Sequence, residues 1–255
     1  MTAALRTERA LVATLLGLAG LSWWWTIERM HGMDNGPWTS LGNLGWFLGV
    51  WIVMMAAMML PSVIPAVALY AGLARGRTAA AALFFISGYL AVWAAVGLVA
   101  FGVAGAGGLV AGGVLDWSRG GRWLAGTALL CAAAYQITPL KEACLAKCRT
   151  PLGLMVGSWR HGRSGGFRLG LASGAWCAGC CWALMASLFA LGVMSIAWTA
   201  LVAGLIALEK TLPWRRVATG GTTALLVVLG VLLLLAPDLV PGLKLPGADP
   251  MPMHG

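Results

Sequence analysis

Residues 44–66 read LGWFLGVWIVMMAAMMLPSVIPA, without one charged side chain. A helix needs about 20 apolar residues to cross a hydrocarbon core about 30 Å thick, and this stretch supplies them. It is one of seven candidate spans, at roughly 10–27, 44–66, 79–104, 122–139, 168–191, 195–208 and 217–236. The sixth is the shortest. Charged residues make up 10% of the 255 residues, against about 25% in soluble domains. Mean hydropathy is +0.86. So few charges cannot cover the surface of a soluble fold. The predicted fold is all-α: a polytopic integral membrane bundle of about seven transmembrane helices. Residues 1–236 form this one domain, and 237–255 form an extended or disordered tail.

The net charge of +9 reads as basic loops on the cytoplasmic side of a membrane, not as a nucleic-acid surface. With the N-terminus inside and seven crossings, the outer segments hold Arg29, Arg119, Arg122 and Lys244. The other 13 of the 17 Lys and Arg lie inside. This places the C-terminus outside. The first span follows Arg6 and Arg9, as a signal peptide would. Trp23, Trp24 and Trp25 follow it where an interfacial belt belongs, and no small-x-small cleavage site appears, so a retained helix is expected. Residues 105–121 are Gly-rich and read as an outer loop. Residues 140–167 read as the longest inner loop.

Five of the six cysteines fall in two tight groups. Cys177, Cys180 and Cys181 lie on the fifth span. At 100° per residue, Cys177 and Cys181 are about 40° apart, Cys180 sits beside them, and Met185 continues the stripe. Thiolates are soft ligands that suit Cu(I) or zinc; the alternative is that they pack as small hydrophobes. Cys144 and Cys148 follow Pro139, set among Lys141, Lys147 and Arg149. If that piece is helical, their i, i+4 spacing lets both sulfurs face one ion. Met54, Met55, Met58 and Met59 form two i, i+4 pairs of thioethers ahead of Pro61 and Pro65. Thioethers can ligate Cu(I), although methionine also fills cores.

Met30, His31, Met33 and Asp34 in an outer loop, and Met251, Met253 and His254 in the tail, offer further donors. Glu209 and Lys210 read as a snorkelling pair at the inner interface. Tyr135 and Gln136 read as polar groups facing the bundle interior.

Met54-Met55-Ala56-Ala57-Met58-Met59-Leu60-Pro61 resembles the first signature of a bacterial family of predicted metal-binding integral membrane proteins. Tyr135-Gln136-Ile137-Thr138-Pro139-Leu140-Lys141, running on to Cys144, Cys148 and Pro151, resembles the second. Cys177-Ala178-Gly179-Cys180-Cys181-Trp182, with Met185, Gly192-Val193-Met194 and Glu209-Lys210, resembles the third. Together they cover residues 45–212. The resemblance implies metal handling, with copper favoured. Some members are linked to copper delivery to oxidases.

The leading functional reading is a non-enzymatic copper protein of the bacterial inner membrane, a multi-pass metallochaperone or transporter. Cytosolic Cys144 and Cys148 would exchange Cu(I) with the membrane cluster of Cys177, Cys180, Cys181 and the methionines. Partners would be membrane lipid and a copper-dependent oxidase or a soluble copper chaperone. No feature specifies an oligomeric state. Two alternatives stand beside it. One is a membrane thiol–disulfide oxidoreductase using Cys177-x-x-Cys180; the other is a structural or assembly subunit. A retinal protein is disfavoured because the last span has no lysine. An ATP-driven pump is disfavoured because no G-x-x-x-x-G-K-[ST] loop occurs.

Overall fold

In an apolar medium every backbone amide and carbonyl must be satisfied within the chain, and a helix does this locally. The computed structural model describes residues 2–30, 42–73, 78–111, 122–150, 163–191 and 196–236. Among these residues there are eight helices and no strand: α1 (Thr2–Met30), α2 (Leu44–Leu73), α3 (Thr78–Ala111), α4 (Arg122–Gln136), α5 (Pro139–Arg149), α6 (Arg163–Leu191), α7 (Ile196–Thr211) and α8 (Arg215–Leu235).

Five stretches are long and apolar enough to cross a membrane: Ala10–Glu28, Leu44–Leu73, Ala79–Ala106, Ser164–Leu188 and Arg215–Leu235. The pair α4 and α5 adds a sixth if it is counted as one broken span. The helix at the sixth expected position, α7, has 16 residues, or about 24 Å at 1.5 Å per residue, short of a full core. Several boundaries differ from expectation, three of them where loops were expected or a span stops early. Residues 105–111, read as loop, continue α3. The expected inner loop begins with α5 and has passed into α6 by Arg163. The span 122–139 stops at Gln136, where Ile137 N–H bonds to Ala134 O (3.3 Å) and Thr138 N–H to Tyr135 O (3.0 Å), forming a turn before Pro139. Residues 237–255, His31, Met33 and Asp34 lie outside the described residues.

The helices fall into two compact units. The first holds α1, α2, α3 to Gly102, α5, and α6 to Trp182. Here α2 runs on through Pro61 and Pro65, and the Ser62 hydroxyl donates to Met59 O (2.8 Å) in the stretch where proline removes amide donors. Antiparallel to it, α3 presents Gly97 beneath the Trp51 ring, where a Cβ would lie 2.5 Å from the indole. Trp51 Nε1–H donates to Trp93 O at 2.8 Å. The Phe47 and Phe101 rings stand 5.3 Å apart.

Between α3 and α6 the contact is closer still. Gly166, Gly170 and Gly174 recur every fourth residue along one face of α6. Opposite them on α3 are Phe84, Phe85, Tyr89 and Val92, in parallel register. A Cβ on Gly170 would collide with the Phe85 carbonyl oxygen, and one on Gly88 with that of Phe167. Backbone therefore rests on backbone, the close approach that small residues four apart permit between helices in lipid.

In the second unit α4 packs on α8 through another glycine pair, Gly126 and Gly230, each set against a leucine of the other helix. Trp198, Thr199, Val202, Ile206 and Glu209 line the buried face of α7.

The α3–α6 contact yields a prediction. Gly170→Ala places a methyl on backbone that cannot swing away, and should cost about 1–3 kcal/mol as overpacking, lowering the melting temperature of the detergent-solubilised protein. Gly49→Ala, with nothing within 4 Å of its Cβ position, should hold or raise it. Equal melting of the two variants would contradict the contact.

Candidate metal centre

The first unit contains a largely buried sulfur cluster assembled from three helices. On α6, Cys177, Cys180 and Cys181 are 1%, 2% and 2% exposed. From the last turn of α5 comes Cys148, half-buried. The Sγ atoms of Cys148, Cys177 and Cys180 all lie within 4.8 Å of one another. A trigonal ion with metal–sulfur bonds of about 2.3 Å holds its sulfurs about 4 Å apart, so a small inward movement closes this trio on one ion. From α2, Met59 Sδ lies 4.0 Å from Cys177 Sγ, adding a thioether to the thiols.

The thiols are not equivalent. Cys180 Sγ donates to Cys177 O at 3.1 Å, and Cys181 Sγ donates to the same carbonyl at 2.8 Å. These are the i−3 and i−4 back-bonds open to a short polar side chain inside a helix. Cys177 Sγ instead lies 3.0 Å from the hydroxyl of Tyr89 on α3.

Three contacts seat α5 on α6. Gly179 leaves room for Cys144, whose Sγ would be 2.9 Å from any Cβ added there. Lys147 Nζ lies 5.3 Å from the centre of the Trp176 ring, within cation–π range. Cys148 reaches Cys177 and Cys180. Cys144 is itself buried, at 5% exposure.

Cys148, read with Cys144 as a cytosolic pair that exchanges copper with the membrane cluster, lies directly beside Cys177 and Cys180. The missing side chain at Gly179 makes room for this, because it lets the short α5 lie directly on α6. Among the described residues Met59 is the thioether that reaches the cysteines. Met54, Met55 and Met58 are buried in α2, and Met185 is buried one turn past Cys181 along α6. Cys131 is exposed. Met251, Met253 and His254 lie outside the described residues, as does the loop of His31.

The reading of Glu209 as a snorkelling interfacial charge is also corrected. It is 2% exposed and accepts a 3.0 Å hydrogen bond from Gln136 Nε2. A polar group so deep needs a hydrogen-bond partner, and Gln136, buried as expected, provides one. Sequence reasoning missed Tyr89 and the glycines at 166, 170, 174 and 179. The four-residue spacing of the glycines was a usable signal. So was a tyrosine in the middle of an apolar helix.

An all-α chain with several apolar helices of membrane-spanning length and a buried thiol cluster defines a class: membrane-type proteins equipped for a soft metal. Residues 48–233 match the family model of PpoB2, described as a copper chaperone, and the chain belongs to that family. The match runs from α2 into α8. No curated protein and no solved structure matches the chain.

The geometry of the trio can be tested without metal. In a variant with Cys131, Cys144 and Cys181 changed to Ser, mild oxidation should link Cys148 to Cys177 or Cys180. Mass spectrometry would detect an α5 peptide joined to an α6 peptide. Absence of that species, with all three thiols still free, would contradict the placement of α5.

Proposed function

We propose that this chain is a multi-pass protein of the bacterial cytoplasmic membrane that binds Cu(I) at Cys148, Cys177 and Cys180 and hands it on for the maturation of copper enzymes. The observation that carries this reading is the convergence of three thiols from α5 and α6 within 4.8 Å, in a chain of a copper-chaperone family. Soft sulfur donors favour Cu(I). Zinc in a closed site takes four ligands, and a trio of thiols suits a lower-coordinate ion better.

Met59 is the adjoining ligand on this reading, with Cys144, Cys181, Met54, Met55, Met58 and Met185 as further soft donors along the helices. A neutral thioether takes the ion without adding buried negative charge, which matters where ion desolvation costs several kcal/mol. Copper would be cargo, exchanged among neighbouring sulfurs, and the role non-catalytic. A soluble copper chaperone would be the donor or a copper-dependent oxidase the recipient.

The charge distribution supports seven crossings with the N-terminus inside: 13 of the 17 Lys and Arg then lie on the cytoplasmic side. On that reading α7 is the short sixth segment, residues 1–236 are the membrane-embedded part and 237–255 an outer tail.

The test is copper analysis of purified protein loaded anaerobically with Cu(I). Wild type should retain copper in fixed stoichiometry, and the variant Cys148→Ser/Cys177→Ser/Cys180→Ser should lose it. Met59→Leu should retain the stoichiometry but weaken the hold. Unchanged copper in the triple variant would reject the site. A redox-dependent alkylation shift at Cys177 and Cys180 in metal-free protein, together with that result, would favour the oxidoreductase instead.

A further inference from the structure

We propose that Tyr89 tunes the cluster by donating a hydrogen bond to the Cys177 thiolate, which weakens the hold of that sulfur on copper and speeds its release. The inference rests on the copper reading above and adds a residue that the cysteine and methionine pattern does not contain.

Tyr89 is 1% exposed, and its hydroxyl is 3.0 Å from Cys177 Sγ. Its position is fixed by backbone as much as by its ring. A Cβ at Gly170 would lie 3.0 Å from Tyr89 N, and one at Gly174 would lie 3.1 Å from Tyr89 O. Cys177 follows Gly174 by less than one turn, so the glycine contact that brings α3 onto α6 also delivers the phenol to this sulfur.

In the metal-free protein either atom can donate. Metal binding requires the deprotonated thiolate, and the sulfur then has no hydrogen to give. The Tyr89 O–H becomes the donor. Hydrogen bonds to a ligand atom draw on its electron density and tune the metal it holds. Cys180 and Cys181 are donors to Cys177 O, and those bonds vanish when their protons leave. Cys177 has in Tyr89 a neutral donor whose bond survives deprotonation of the sulfur and weakens its grip, with Met59 Sδ 4.0 Å away to receive the ion.

The experiment uses the full chain in detergent, loaded with Cu(I), and follows removal of copper by bathocuproine disulfonate. Tyr89→Phe keeps the ring and should leave the stoichiometry unchanged. Release should slow about tenfold, the scale of one hydrogen bond to a charged group, and the thiolate-to-copper absorption should shift. Replacing Tyr89 by a fluorotyrosine, a stronger donor, should speed release, a direction that a packing defect would not produce. Tyr70→Phe removes a buried hydroxyl that faces Gly166 rather than sulfur and should release copper at the wild-type rate. Wild-type rate and spectrum in Tyr89→Phe would overturn the inference while leaving the copper site standing, as would equal slowing in Tyr70→Phe. A wild-type chain that takes up no copper would overturn both.

Discussion

Helices in lipid gain nothing from hiding apolar side chains from one another, so their association depends on how closely their backbones can pack. In this chain the closest such contact lies where Gly166, Gly170 and Gly174 of α6 meet α3. One added methyl at Gly170 would strike the Phe85 carbonyl. That contact sets the α6 register against Tyr89, and with it the surroundings of Cys177. A second glycine on α6, Gly179, repeats the principle for α5: the side chain it lacks is the space that Cys144 occupies. The sulfur cluster is therefore a consequence of two places where α6 has no side chain.

The chemistry follows from the dryness of that location. Cys177, Cys180 and Cys181 are almost fully excluded from solvent, and their neighbours are sulfur, a phenol and backbone carbonyls. Such surroundings offer little to a hard ion that wants water and carboxylates, and much to a soft one. They also penalise accumulated negative charge, which gives meaning to the mixture of thiols and the Met59 thioether. Polar groups elsewhere obey the same economy: Glu209 is accepted into the interior of the second unit because Gln136 donates to it.

Much of this was legible in the sequence. The apolar stretches announced α2, α3, α6 and α8, because length and hydropathy act on each segment alone. The close spacing of Cys177, Cys180 and Cys181 announced one face of one helix. The α2 methionines were expected in the same cluster; what could not be read was that Met59 is the one beside Cys177 and that Cys148 joins the α6 thiols. Those approaches depend on contacts such as that of Gly179 with Cys144, which are properties of pairs of helices. Tyr89 was hidden for the same reason, since nothing within its own helix marks it as a neighbour of sulfur. Glu209 was misplaced because a charge beside Lys210 at a helix end looks interfacial until its partner, 73 residues away in sequence, is known.

The most direct test of a shared sulfur site is X-ray absorption at the copper edge on the Cu(I)-loaded chain. A shared site gives a first shell of three sulfur neighbours at about 2.3 Å, reduced in number when Cys148 is changed to Ser. A shell dominated by nitrogen or oxygen, or one indifferent to Cys148, would contradict it.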